Sequence, residues 1–336
     1  MSRLARRLRV SRVMAPSLPP PAEIRLLDTA VRGRAARAVR ARLRRMEPVV
    51  LVAPPWAAVP RFLEDLSLDL AVGEPAVGCR VVSFRSAYGR PKAEVWQLAL
   101  QLFSQLGQRG WHRTAPTTVA DRRGFRYAME SVLERAHEES PHRVALLARD
   151  VEALPVDVLE DIAAIWSGYR ERHALERRCG VVLATTESAG WLKLGTAPRV
   201  ELVDFASDEA QASLVASVGP MPDEAVERVT RITGGIPALV DTIATAARRT
   251  GHLPTEPREV LECLGPMAGE LRTAVDQAIA LDPLADRLVG LRPGEPEIES
   301  PDVDTPLLRA GLVRRVRAPG GDKVELRAPI LLTLIG

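Results

Sequence analysis

The stretch LVAPPWAAVPRFL, Leu51–Leu63, decides how the rest of the chain is read. An apolar, β-branched run, Val49–Val52, passes through two prolines into what reads as the start of a helix. Strand, tight turn and helix start together make the setting of a phosphate-binding loop, where backbone amides at a helix N-terminus face an anion. Yet the stretch holds no glycine, no lysine and no serine or threonine.

Working outward, Ala22–Arg45 keeps rough helical spacing at Ile24, Leu27, Val31, Ala35, Ala38 and Leu43, with arginines on the other face, and predicts one basic amphipathic helix ended by Glu47-Pro48. After Leu63 the pattern alternates. A helix is expected over Val59–Leu68, a strand at CRVVSF (Cys79–Phe84), and a helix from Pro91 with Gly107 as its stop. A second long helix repeats the pattern at Phe125, Ala128, Met129, Val132, Leu133 and Ala136. RVALLAR (Arg143–Arg149) reads as a buried strand, Pro155–Ala174 as a helix, and GVVLAT (Gly180–Thr185) and RVELVDF (Arg199–Phe205) as further strands. Strands that are apolar throughout, separated by helices, imply a parallel sheet covered on both faces.

From Ser207 the texture becomes helical. Ser207 is the expected N-cap of one helix, Asp223–Thr233 is a second stopped by Gly234-Gly235, and a third runs from Pro237 to Arg248-Arg249 before Gly251. Short helices then lead to an acidic, proline-rich loop, RPGEPEIESPDVD, with Glu295, Glu297, Glu299, Asp302 and Asp304, and to a segment in which PGGD can turn a hairpin between Val313–Ala318 and Lys323–Ala328. Helices followed by one hairpin are the layout of a winged helix.

This order of elements resembles that of AAA+ ATPases of the origin-recognition type and of the related STAND signalling ATPases over residues 22–336. The resemblance implies an α/β fold: a P-loop-like core with a parallel sheet over 22–205 that includes the N-terminal basic helix, a helical lid over 206–252, and a winged helix over 253–336. Residues 1–21, basic and broken by PSLPPP, are expected to form a disordered tail.

The motifs carry the functional reading. In the phosphate loop GxxxxGK[ST], the lysine reaches the phosphates and the hydroxyl holds magnesium. APPWAAVP places Ala53 and Ala58 at the glycines, Val59 at the lysine and Pro60 at the magnesium ligand. In the family's second motif an apolar strand ends in two acids. Here the pair falls on Arg149 and Asp150, and an arginine supplies positive charge but cannot coordinate a metal. VVLATTE resembles the strand that senses the terminal phosphate, through Thr185 or Thr186, and TGGIPALV resembles a lid motif that sets Pro237 near an adenine. Read as plain structure, the same residues are a strand end and a helix stop followed by a helix start.

The resemblance therefore implies a degenerate nucleotide site at Ala53, Ala58, Val59, Pro60, Arg149, Asp150, Thr185 and Pro237, with no ATP or ADP as cofactor and no catalytic residue. The expected function is that of a bacterial, cytoplasmic pseudo-ATPase: a scaffold or adaptor whose protein partner is an active ATPase or an effector. Trp56 is expected to fill the vacated space.

A nucleic-acid module is the alternative. The net charge of +3 hides thirteen arginines against Glu23, Asp28 and Glu47 in residues 1–47, a local +10 that leaves −7 for the remainder. Arg34, Arg37, Arg40 and Arg44 of the basic helix, with Arg314, Arg315 and Arg317 of the wing, are the candidate DNA contacts. The acidic loop before the hairpin opposes this by repulsion. The first twelve residues, with five arginines and no acid, also have the composition of a mitochondrial presequence. Three distant cysteines and five scattered histidines show no metal-ligand spacing, so buried reduced thiols and no metal are expected. No apolar run reaches eighteen residues, so no membrane span is expected.

Overall fold

The computed structural model describes residues 30–106, 119, 121–140, 142–186, 197–319 and 321–335. The expected tail (1–21), the first part of the basic helix (22–29), the stop at Gly107 and the side chain of Arg317 lie outside what is described.

Among the described residues, β1 (Val49–Ala53), β2 (Val77–Ser83), β3 (Arg143–Arg149), β4 (Cys179–Thr186) and β5 (Arg199–Glu201) form a parallel sheet in the order β2-β3-β4-β1-β5. The sequence locates the inner strands because β1 and β4 have neighbours on both sides and are buried almost throughout, which calls for continuous apolar runs. The outer strand β2 alternates between buried and exposed residues.

α1 (Ala30–Leu43) and α2 (Val59–Val72) cover one face of the sheet, where Ala36, Val39 and Leu43 pack with Phe62, Leu63 and Leu66. α3 (Lys92–Phe103), α4 (Arg122–Glu139) and α5 (Val156–Arg172) cover the other, around Phe103, Phe125 and Trp166. The helix leaving β1 and the helix leaving β3 thus lie on opposite faces. Such a divergence opens a crevice beyond the carboxyl ends of the strands, where open parallel sheets bind ligands.

Strand β5 is shorter than its apolar pattern predicts. It pairs only with β1, and past Glu201 the chain is drawn away: the Phe205 amide donates to the Gly235 carbonyl (2.9 Å), and Asp204 is taken up by Arg327. Ser207 opens α6 (Ser207–Val218) rather than capping it. Ala206 is the N-cap, and its amide donates to the Glu209 carboxylate at 2.9 Å.

α7 (Asp223–Thr233) and α8 (Pro237–Thr250) complete the helical segment. They are followed by α9 (Pro257–Leu264), α10 (Pro266–Ile279), α11 (Asp282–Gly290), β6 (Glu297–Ile298), α12 (Pro301–Arg309), β7 (Val313–Ala318), β8 (Gly321–Leu326) and α13 (Ile330–Ile335). The hairpin β7–β8 forms with its first strand where expected, but the second begins at Gly321 rather than Lys323 and ends at Leu326, because the pair Ala318↔Gly321 closes a tighter turn than PGGD suggested; β6 adds a third antiparallel strand. Residues 206–252 and 253–335 do not have separate interiors. One apolar core runs from Phe205 through Leu239 and Val260 to Leu334.

The acidic segment is not a free loop. Asp304 lies within α12, is fully buried, and receives the Arg287 guanidinium (2.8 and 3.1 Å) together with the Ser300 amide (2.6 Å). Glu297 also pairs with Arg287, and Glu299 with Arg315 (2.7 Å). Repulsion of a polyanion by this segment is correspondingly reduced.

Burial raises the thiols of Cys79 and Cys179 to about 12, so both stay protonated at neutral pH. Among the described residues no helix is long and apolar enough to cross a membrane.

Candidate functional site

Beyond the carboxyl ends of β1, β3 and β4 lies a cavity of about 390 Å³. The loop after β1 forms one wall, Arg149, Asp150 and Glu152 after β3 a second, and Thr185 and Thr186 of β4 the floor, with Ala238, Asp241 and Thr242 of α8 and Met267 of α10 above. Of the eight residues assigned from sequence to one site, seven line this cavity: Ala53, Ala58, Val59, Pro60, Arg149, Asp150 and Thr185. Pro237 stands just outside it as the first residue of α8.

The loop keeps the turn that the motif reading predicts, without the residues that make it easy. Ala57 donates its amide to the Pro54 carbonyl (3.2 Å), while Trp56 (φ 59) and Ala58 (φ 54) both sit in the left-handed region. For residues with a Cβ each such conformation costs about 1–2 kcal/mol, so surrounding contacts must hold it. Pro60, at the start of α2, has no amide to offer an anion.

Each cation of the cavity is committed. Arg61 forms an ion pair with Asp241, tying α2 to α8. Arg149 pairs with its neighbour Asp150 at 3.2 Å, and the Ser83 hydroxyl donates to the same carboxylate. Asp150 itself adopts φ 58, which turns the chain sharply after β3. Burial, and then the charge of Asp150, raise the Glu152 carboxyl above the usual range, and its Oε2 has no hydrogen-bond partner. The two arginines therefore face Asp150, Glu152 and Asp241, in a lining that is otherwise mostly apolar.

This donor set does not fit a magnesium polyphosphate. No lysine stands at 59 and no hydroxyl at 60, and Asp150 already accepts from Ser83 and Arg149. An added polyphosphate would meet an excess of carboxylates.

Trp56, expected to fill the vacated space, lines the cavity and also bonds and packs on the C-terminal side. Its backbone carbonyl accepts the Ala238 amide (3.0 Å), and its ring leans on the C-terminal core beneath the guanidinium of Arg327 (5.9 Å). Pro55 and the Trp56 ring press on Gly311 so closely that a Cβ there would come within 2.8 Å of Pro55 and 2.9 Å of the ring. Arg327, fully buried just past β8, donates to both carboxylate oxygens of Asp204 (2.8 and 2.7 Å) and to the carbonyls of Pro55 (2.6 Å) and Gly311 (3.3 Å).

Arg32 of α1, also buried and set over the Phe205 ring (5.5 Å), completes this junction. Burial lowers its pKa to about 10 against the pull of Asp204, so it stays charged at neutral pH. The loop after β1 is thus a joint between the sheet and the C-terminal core.

The candidate DNA contacts divide. Arg34, Arg37 and Arg44 are exposed on one stripe of α1, while Arg40 is paired with Asp69 of α2 (2.7 Å). On the hairpin, Arg314 is held by Glu325 (2.6 Å) and the Gly234 carbonyl (3.2 Å), and Arg315 by Glu299 (2.9 and 2.7 Å). Those two are structural anchors in this arrangement.

Sequence reasoning missed Arg61, Glu152, Asp241 and the Asp204–Arg327 pair. Asp241 had a signal, since it lies one helical turn after Pro237 and so on the same face. Asp204 and Arg327, 123 residues apart, had none.

The chain matches no protein family and no curated protein. Among solved structures it is similar to a Walker-type ATPase of Pyrococcus abyssi, with a TM-score of 0.60 at 14% identity over 90% of this chain and 95% of that one. It is also similar to Cdc6p of Pyrobaculum aerophilum, with a TM-score of 0.51 at 13% identity over 96% of each. With its parallel five-stranded sheet, the chain has the fold of P-loop ATPases of the AAA+ kind.

Proposed function

We propose that this chain is a pseudo-ATPase: an AAA+ or STAND-like scaffold or adaptor that keeps the fold and has given up the chemistry. The observation that carries this reading is the cavity beyond β1, β3 and β4, where Val59, Pro60 and Arg149 stand at the lysine, hydroxyl and first-acid positions and both arginines are paired with carboxylates. Phosphoryl transfer is catalysed by positioning and electrostatic stabilisation, so losing lysine, hydroxyl and first acid together removes the means of hydrolysis.

The Trp56–Arg327 joint supports the scaffold role, because direct contacts of Arg327 with the Pro55 carbonyl and the Trp56 ring couple the core to the C-terminal unit. We read that unit, helices followed by a three-stranded hairpin sheet, as a winged helix. The partner in this reading is a protein, either an active ATPase or an effector.

Calorimetry with millimolar ATP or ADP is expected to give no magnesium-dependent binding, and a phosphate-release assay no turnover. Saturable, magnesium-dependent binding at this cavity would overturn the reading. A native pull-down is expected to recover a stable stoichiometric protein complex, and a monodisperse, partnerless monomer counts against the scaffold role.

Nucleic-acid binding is a second reading, favoured by Arg34, Arg37 and Arg44, exposed over about 15 Å along α1 and its end and, among the described residues, in no ion pair. Each phosphate contact contributes about 0.9 to the slope of log K against log salt on duplex DNA. Replacing all three by alanine is expected to lower that slope by about 2–3 and to weaken binding regardless of sequence. An unchanged slope removes α1 from the interface.

A further inference from the structure

At the opposite end of the sheet, where β3 and β4 begin, a polar pocket of about 350 Å³ opens between the end of α1 and the loop from α5 to β4. Its lining carries Arg45, His142, Arg143, Glu176, Arg177 and Arg178. We propose that it binds a phosphate group with at most one ester linkage, either free phosphate or the 5′-phosphate end of a nucleic-acid strand.

The charges in this pocket are only partly neutralised. Arg178 is spent on Glu176 (2.9 Å) and the Ser140 carbonyl (3.2 Å), and Arg45 shares Glu47 with Arg42 (3.1 and 3.0 Å). Among the described residues the Arg143 side chain meets only the carbonyl of Arg44, which neutralises nothing, and Arg177 forms no ion pair.

Four guanidiniums of the lining, Arg45, Arg143, Arg177 and Arg178, therefore stand with one carboxylate of the lining, Glu176, and with Glu47 outside it, which leaves Arg143 and Arg177 without a carboxylate among the described residues. A guanidinium with no carboxylate partner keeps N–H donors for an oxyanion, and Arg143 and Arg177 bring two such guanidiniums to the lining. A monoester matches two uncompensated cations because it carries close to two negative charges at neutral pH, where a diester carries one. The planar forks of arginine also suit the spacing of phosphate oxygens.

This site is distinct from the cavity at the other end of the strands and does not depend on the pseudo-ATPase reading. The test titrates the full-length chain with inorganic phosphate, and with one single-stranded oligonucleotide bearing either a 5′-phosphate or a 5′-hydroxyl, all without magnesium. Saturable phosphate binding is expected, weakened at least about tenfold in Arg177→Gln and in Arg143→Gln, and unchanged in Arg258→Gln, a remote exposed arginine on α9. Since Arg177 makes no contact that the fold needs, its substitution leaves the circular dichroism spectrum and unfolding midpoint intact.

A preference for the 5′-phosphorylated strand that is lost in Arg177→Gln and retained in the Arg34 and Arg37 double variant identifies the strand end as the source. Phosphate binding without that preference identifies the free anion. Absence of saturable phosphate binding, or binding indifferent to both pocket substitutions, overturns the proposal. Any ATP bound here through its phosphates is magnesium-independent and lost in Arg177→Gln, which separates it from binding at the cavity beyond β1.

Discussion

Replacing Arg327 by methionine is expected to lower stability by about 3 kcal/mol and to loosen the C-terminal unit from the sheet. The guanidinium is fully buried and holds four oxygens: two of Asp204 and the carbonyls of Pro55 and Gly311. Breaking a buried ion pair from one side typically costs about 3–5 kcal/mol, because the remaining charge is left without compensation. The low end applies here, since Arg32 still faces Asp204.

Two measurements check this. The midpoint of urea unfolding falls, and small-angle scattering reports a larger radius as Trp56 loses its cover. Adding Asp204→Asn to Arg327→Met is expected to recover part of the loss, because the stranded carboxylate is gone. If the single variant unfolds at the same urea concentration as the parent, the joint contributes nothing.

Gly234→Ala is expected to be comparably damaging, by about 3–4 kcal/mol, and it has a built-in control. Gly234 ends α7 with φ +61, and Gly251 ends α8 with φ +69, so an alanine at either position meets the same left-handed penalty of about 1–2 kcal/mol. The surroundings differ. A Cβ at 251 finds nothing within 4 Å, whereas at 234 it falls 2.1 Å from the Arg327 carbonyl oxygen and 2.9 Å from the Ala328 Cα. Those contacts are backbone and cannot rotate away, so the overlap adds about 1–3 kcal/mol of overpacking and pushes apart the junction that Arg327 closes. Denaturation of the two variants side by side decides the matter: equal losses sink the close-approach argument and leave only helix capping.

Much of the site could be read in the chain. Ala53, Val59, Pro60, Arg149, Asp150 and Thr185 are assigned to one site by resemblance to motifs, and the sheet brings them together because parallel strands carry their carboxyl ends to one edge. The apolar runs of β1 and β4 announced themselves because central strands are buried on both faces. β5 and the N-cap of α6 were misread for one reason. Asp204, Phe205 and Glu209 answer to Arg327, Gly235 and the Ala206 amide, and only one of those partners is near in sequence.

The tandem glycines read correctly as a helix stop, but their second purpose did not. The closeness of Gly234 to Arg327 and Ala328 depends on a strand end more than ninety residues later. The arginines show the same division. Composition marks residues 1–47 as basic, yet which guanidiniums are spent and which are free, Arg40 on Asp69 but Arg177 on nothing, is settled by which carboxylates the fold brings within reach.

By itself, then, the sequence determined the parallel α/β core, the order of helices and hairpin after it, and the absence of glycine, lysine and hydroxyl from the loop after β1. These are local properties: hydrophobic period, burial of central strands and the chemistry each residue type possesses or lacks. Only the tertiary structure decided that the same loop is clamped to the C-terminal core, that the wing arginines are anchored, and that a basic pocket opens at the far end of the sheet. Each depends on charges and backbone atoms distant in the chain, whose pairing is chosen by packing rather than by their own identity.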